Sequence, residues 1–143
     1  MMIKSSKSPI CCSENDKTLE VNFSEEYIGQ KNRIDDVLIK DQTIKKCDFS
    51  VRLYTKNAHK KQVLVYVELK GSNVGRAVEQ LESTIQILND NKDFKGFPVQ
   101  QAHAVCSRIP RGDTIRQTAT SKFLKRYNFD LKFHSQKGTV SFS

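Results

Sequence analysis

The chain has 143 residues, 37% hydrophobic and 28% charged, which fits one domain of ordinary size and leaves little room for a second. Lysine and arginine number 24 against 16 aspartates and glutamates. The resulting net charge of +8 leans towards a polyanionic partner, of which nucleic acid is the commonest.

No apolar run approaches the roughly 18 residues of a membrane helix. The opening "MMIKSSKSPICCSEN" has no apolar segment of the secretory kind. A soluble, cytoplasmic protein is therefore expected. The cysteines (Cys11, Cys12, Cys47, Cys106) form no CxxC pair, and His59, His103 and His134 are far apart in sequence. That spacing favours reduced, partly buried thiols over a zinc site.

Residues 1–18 are polar and read as a flexible or partly ordered arm, with a single domain over 19–143. "TLEVNFSEEYIGQ" is expected to hold a short strand and then a helical turn. "RIDDVLIK" reads as a strand, "DQTIKK" as a turn and "CDFSVRLY" as a second strand. Alternation in that second strand puts Cys47, Phe49, Val51 and Leu53 on one face, and Asp48, Ser50, Arg52 and Tyr54 on the other.

"VLVYVELK" (63–70) is a third strand, apolar on both faces until Glu68, the pattern of a central strand covered on both sides. Gly71 and Ser72 break it. A helix follows, with Asn73 as its cap and Val78, Leu81, Ile85 and Leu88 as its apolar stripe. A fourth strand is predicted from Val99. A second helix is predicted over Thr114–Tyr127, with Asp113 as candidate cap, and "FDLKFHS" and "TVSFS" read as closing strands. The order, about β-β-β-α-β-α-β, defines an α/β layer with a mixed sheet flanked by helices.

The charges at the end of the third strand carry the chemistry. Glu68 and Lys70, two residues apart, project from one face about 7 Å from each other. Asp48 on the preceding strand comes close to Glu68 if the two strands pair. Adjacent carboxylates repel unless a hard cation joins them, and Mg²⁺ takes such oxygen ligands while keeping several waters. An ammonium beside them can orient a water and offset charge on a phosphate.

"CDF" on one strand, "ELK" on the next and a glutamine on the following helix resemble the PD-(D/E)xK nuclease superfamily over roughly Arg33–Pro110. The resemblance implies a restriction-endonuclease-like fold and hydrolysis of phosphodiester bonds, in DNA more readily than RNA. It implies Mg²⁺ or Mn²⁺ held by Asp48, Glu68 and the carbonyl of Leu69, with Lys70 at the attacking water and Gln80 in support.

The chain departs from that pattern at three places. Cys47 stands where a proline is frequent, and Thr84 where a tyrosine sometimes follows the glutamine. Glu20, Glu25 and Glu26 are the candidates for an upstream glutamate. Asp35 and Asp36 read as solvating an edge strand. His59 sits in a polar loop, and His103 reads as a strand histidine satisfied by neighbours.

Arg76, Arg108, Arg111, Lys122 and Arg126 are the candidate nucleic-acid contacts, with Arg116 and Lys125 nearby. A chain this short would take its specificity from a homodimer or a partner subunit. The alternative reading is a nuclease-fold module without turnover, binding nucleic acid or protein.

Overall fold

The computed structural model describes residues 5–34, 46–71, 73–109 and 114–143, with only the backbone at 70 and 71. Its strands are β1 (Ser5–Ser6), β2 (Ile10–Glu14), β3 (Lys17–Phe23), β4 (Tyr27–Arg33), β5 (Phe49–Thr55), β6 (Val63–Gly71), β7 (Val99–Cys106), β8 (Asp130–Ser135) and β9 (Lys137–Phe142). Helix α1 (Val74–Leu88) lies between β6 and β7. Helix α2 (Thr114–Lys122) continues through a wider π turn, Phe123–Tyr127, towards β8. Among the described residues, no helix is long and apolar enough to cross a membrane.

A six-stranded sheet runs β1-β4-β5-β6-β7-β8, and a three-stranded sheet runs β2-β3-β9. In the larger sheet β4, β5 and β6 pair antiparallel, while β6, β7 and β8 pair parallel. The sheet is thus mixed and the class is α/β, as the sequence predicts.

Alternation along β6 shows why this strand is apolar on both faces. Leu64 and Tyr66 turn to one side and pack with Val74, Ala77, Leu81 and Ile85 of α1 and Phe123 after α2. Val63, Val65, Val67 and Leu69 turn to the other and pack with Leu19, Val21 and Phe23 of β3. The large sheet is therefore sandwiched, with helices on one face and the small sheet on the other. Each core leucine of α1 contributes roughly 1.5–3 kcal/mol on burial.

The expected order differs at the N-terminus. Residues 10–14 of the expected arm form β2, with Ile10 and Cys12 buried. The expected helical turn after residue 23 is β4 instead. The reason is non-local: β3 pairs parallel with β9 from the other end of the chain, and β4 pairs with β5. Local sequence carries no signal for a partner more than a hundred residues away. The strand expected over 33–40 falls largely outside the described residues, as do Asp35, Asp36, Arg111 and Asp113.

Elsewhere the periodic segments fall where the sequence places them. Strand β7 starts at Val99, and α2 with its π turn spans Thr114–Tyr127. Asn73 caps α1, its side chain accepting from the Arg76 N–H at 3.1 Å.

Candidate active site at the end of the central strands

The ladder between β5 and β6 runs from Leu53↔Val63 to Phe49↔Val67 and then breaks. The N–H of Asp48 donates to the carbonyl of Val67 (3.1 Å), one residue off that register. The N–H of Leu69 then meets no ladder carbonyl of β5, and Oδ2 of Asp48 accepts it at 2.7 Å. The carbonyl of Asp48 accepts in turn from the N–H of Ile34 (3.0 Å). A carboxylate is thus tied into the sheet in place of a main-chain acceptor, which fixes it beside the end of β6.

Glu68 follows Tyr66 on the helix side of β6 by strand alternation. It is 2% exposed and Asp48 is 5% exposed, so two acidic side chains are withdrawn from water at neighbouring positions. Beyond Glu68 the pairing of β6 with β7 shifts register before Gly71↔Cys106. Such irregularities re-aim side chains at strand ends. Lys70 occupies this segment of β6, two residues past Glu68; its side chain lies outside the described residues.

Cys47 corrects one detail. It belongs to the helix-side cluster, whereas Phe49, Val51 and Leu53 belong to the inter-sheet cluster, so the four do not share a face. The register break at Asp48 causes this, because alternation counts only along a continuous ladder. The N–H of Cys47 donates to Oγ1 of Thr84 (2.8 Å), and Thr84 donates to the carbonyl of Gln80 (2.9 Å). Thr84 thereby pins the segment leading into β5 to α1.

Gln80 lies one turn before Thr84, nearer the start of α1 and so nearer the end of β6. Its Oε1 is sealed from solvent and has no hydrogen-bond partner among the described residues. A sealed, unmatched amide oxygen costs about 1–3 kcal/mol, so its presence calls for an explanation.

The three buried cysteines are poor nucleophiles. Burial pushes the Cys47 thiol well above its ordinary range, and the charges of Glu68 and Asp48 add to the effect against a hydrogen bond from Thr84. Burial likewise raises Cys106, helped by Glu68 and opposed by Lys17, and pushes Cys12 up to about 12. All three stay protonated at neutral pH.

The basic candidates separate into two groups. Arg76 is exposed on the first turn of α1, and Arg108 is exposed just past β7, both at the end of the sheet where the carboxylates lie. Lys122 and Arg126 lie near the end of α2, which leads to the start of β8 at the opposite end of the parallel strands. The structure does not bring them to the carboxylates. Lys122 lies 2.7 Å from Glu82 of α1, whose carboxylate also accepts from the Tyr127 hydroxyl at 3.0 Å. That pair joins the two helices. Arg126 and Lys125 are exposed.

Glu20 is half-buried on β3, and Glu25 and Glu26 are exposed, Glu26 bonding to Asn57. His59 is exposed. His103 is on the inter-sheet side of β7, away from Glu68, and bonds to His134 and Gln101 at 2.8 Å each.

Sequence reasoning did not single out Lys17 or Thr84 as site neighbours. Lys17 is buried on β3, and its only sequence signal is its place in the period-2 stripe with Leu19, Val21 and Phe23.

The donor set that the resemblance implies for a cation, the carboxylates of Asp48 and Glu68 and the main-chain carbonyl of Leu69, consists of hard oxygens. Among the described residues no group of three or more His, Cys, Asp or Glu side chains could hold a metal ion. Mg²⁺ is commonly held by one or two carboxylates with waters completing its shell, so the chemistry of two carboxylates is compatible with such an ion. No family model matches the chain, and no curated protein or solved structure does either.

Proposed function

We propose that the protein is a divalent-cation-dependent nuclease of the PD-(D/E)xK kind, hydrolysing phosphodiester bonds in DNA in preference to RNA. The observation that carries this reading is the pair of withdrawn carboxylates, Asp48 and Glu68, at neighbouring strand ends, with the sealed oxygen of Gln80 on the helix that follows. Support also comes from topology. A mixed sheet with antiparallel β4-β5-β6, then a helix and a parallel β7, is compatible with the core that the resemblance implies.

In this reading Asp48, Glu68 and the Leu69 carbonyl would hold Mg²⁺ or Mn²⁺. When bound, the ion supplies Lewis-acid polarisation and offsets phosphate charge. Asp48 is held rigid by its bond from the Leu69 N–H, so its orientation needs no rearrangement when substrate arrives. Lys70 places a positive charge beside the scissile phosphate and the attacking water. The oxygen of Gln80 accepts a hydrogen bond from that water and so aims it. Arg76 and Arg108 hold flanking phosphates from the same end of the sheet. Recognition of particular sequences would fall to a homodimer or a partner subunit.

The alternative, a nuclease-fold module that binds nucleic acid without cutting it, draws on the small number of carboxylates gathered among the described residues. One experiment separates the two. Plasmid and single-stranded DNA are incubated with wild type and Lys70→Ala in Mg²⁺ or Mn²⁺. Cutting by the wild type, reduced about 10²–10⁴-fold in the variant, is the expected result. No cutting by either protein, with salt-sensitive binding intact, would give the alternative its place.

A further inference from the structure

Lys17 opens β3 on the inner face of the small sheet, where Leu19, Val21 and Phe23 continue the same stripe into the core. It is 8% exposed, although lysine is almost never buried without a partner. Among the described residues no carboxylate lies within ion-pair distance of its ammonium. Nor is that nitrogen among the sealed polar atoms, so the stem runs along apolar surface while the tip reaches solvent. The ammonium is thus carried to the sheet end on a stem held by packing, with Glu14 opposite Lys17 in the ladder. A cation presented to solvent on a fixed stem is available to an anionic ligand.

The surroundings say which ligand. The N–H of Thr18 donates to the carbonyl of Gln136 (3.1 Å), and the N–H of Gln136 donates to the carbonyl of Cys106 (2.8 Å). Cys106 is paired across the ladder with Gly71. These links fasten the start of β3 to the terminal residues of β7 and β6, where Glu68, Leu69 and Lys70 sit. The opposite charges of Lys17 and Glu68 both act on the Cys106 thiol, which places the two groups in one neighbourhood.

We infer that Lys17 is a phosphate contact of the candidate active site, gripping the substrate backbone from the small sheet while Arg76 grips it from α1. The inference rests on the nuclease reading above and extends it to a residue outside the ExK strand and its neighbours. An ammonium suits the task, because it is a compact point charge that needs no fixed bonding plane.

The test measures binding of a fluorescently labelled single strand and its duplex across a salt titration without divalent cation. Wild type, Lys17→Met and Lys17→Arg are compared, together with their thermal unfolding. The methionine variant is expected to bind about three- to tenfold more weakly, with a salt slope lower by about 0.7–0.9, while the arginine variant retains both. It should also melt close to the wild-type temperature, since the packed stem is replaced by a neutral chain of similar length.

Unchanged affinity and slope in Lys17→Met, beside salt-sensitive wild-type binding, overturn the inference and leave the nuclease reading standing. A methionine variant that melts well below wild type gives Lys17 a structural role and also overturns it. Wild type that binds no nucleic acid removes both.

Discussion

Two polar groups are buried on opposite faces of the large sheet, and they are finished in different ways. On the inter-sheet face, His103 is 1% exposed and both of its ring nitrogens are met, by His134 and by Gln101. The two imidazoles also stack, with centroids 5.1 Å apart and planes 11° from parallel. Near the strand ends, Glu68 on the helix face and Asp48 bonded to the adjoining strand are both buried, and Oε1 of Gln80 has no partner among the described residues. The first group is closed on itself and specifies packing. The second includes an amide oxygen with no partner among the described residues, the feature on which the proposed site draws.

The largest expected effect is at Asp48, where the two roles of one carboxylate can be parted. Asp48→Asn keeps an oxygen for the Leu69 N–H but loses the charge. DNA cutting should fall about a thousandfold, equivalent to about 4 kcal/mol of barrier, while the melting temperature stays within a few degrees. Asp48→Ala should lose activity to the same extent and also about 1–3 kcal/mol of stability, because that N–H is left unmatched. Steady-state cleavage and urea unfolding of both variants would show whether the charge serves a cation or only the sheet.

The closed cluster should reveal itself through pH. Burial, with added repulsion from His134 and Lys132, lowers His103 from its ordinary value near 6.5 to about 3. The unfolded chain therefore takes up a proton below about pH 6.5 that the folded chain refuses until about pH 3. Stability present above pH 6.5 is lost as the pH falls through that window, by up to about 1.4 kcal/mol per unit. Chemical unfolding at about pH 7, 6 and 5 should show this slope, and His103→Leu should flatten it. A slope unchanged by the substitution would move the effect to other groups.

The smallest effect is expected at Lys122. Its pairing with Glu82 is partly exposed and joins two helices far from the carboxylates. Lys122→Ala should cost at most about 1 kcal/mol of stability. It should change nucleic-acid affinity less than Arg76→Ala does. Equal losses of affinity at the two positions would bring the far end of α2 into the binding surface and blur the contrast between the two ends of the sheet.

Much of the fold was legible because its segments are strongly periodic. "VLVYVELK" announces a strand covered on both faces, and both covers exist. The stripe Leu81, Ile85 and Leu88 lies under α1, with Val78 at its margin. Asp48 and Glu68 were legible as a pair because polar residues at the end of an apolar strand violate the pattern around them. The burial of Gln80's oxygen was less so, since only the packing of α1 on the sheet seals it.

Residues 10–23 show the limit. Their alternation is modest and their charges suggest solvent, yet Ile10, Cys12, Lys17, Leu19, Val21 and Phe23 all point inward. Gly29 is the matching trace on β4: a Cβ there would come within 2.5 Å of Ile10 and 2.9 Å of Phe23, so the small sheet rests against bare backbone. Nothing near Gly29 in sequence states that requirement.

By itself, then, the sequence determined the segments whose hydrophobic period is local: β6, α1, β7 and α2, and with them the approach of an aspartate to a glutamate at one strand end. The tertiary structure alone decided the partner strands of the small sheet, the side on which Cys47 lies, the pairing of His103 with His134 and the burial of Lys17. Periodicity records which face of a segment avoids water. It does not record which distant segment covers that face, because pairing between residues 17–23 and 137–142 is a property of the closed chain and of no window within it.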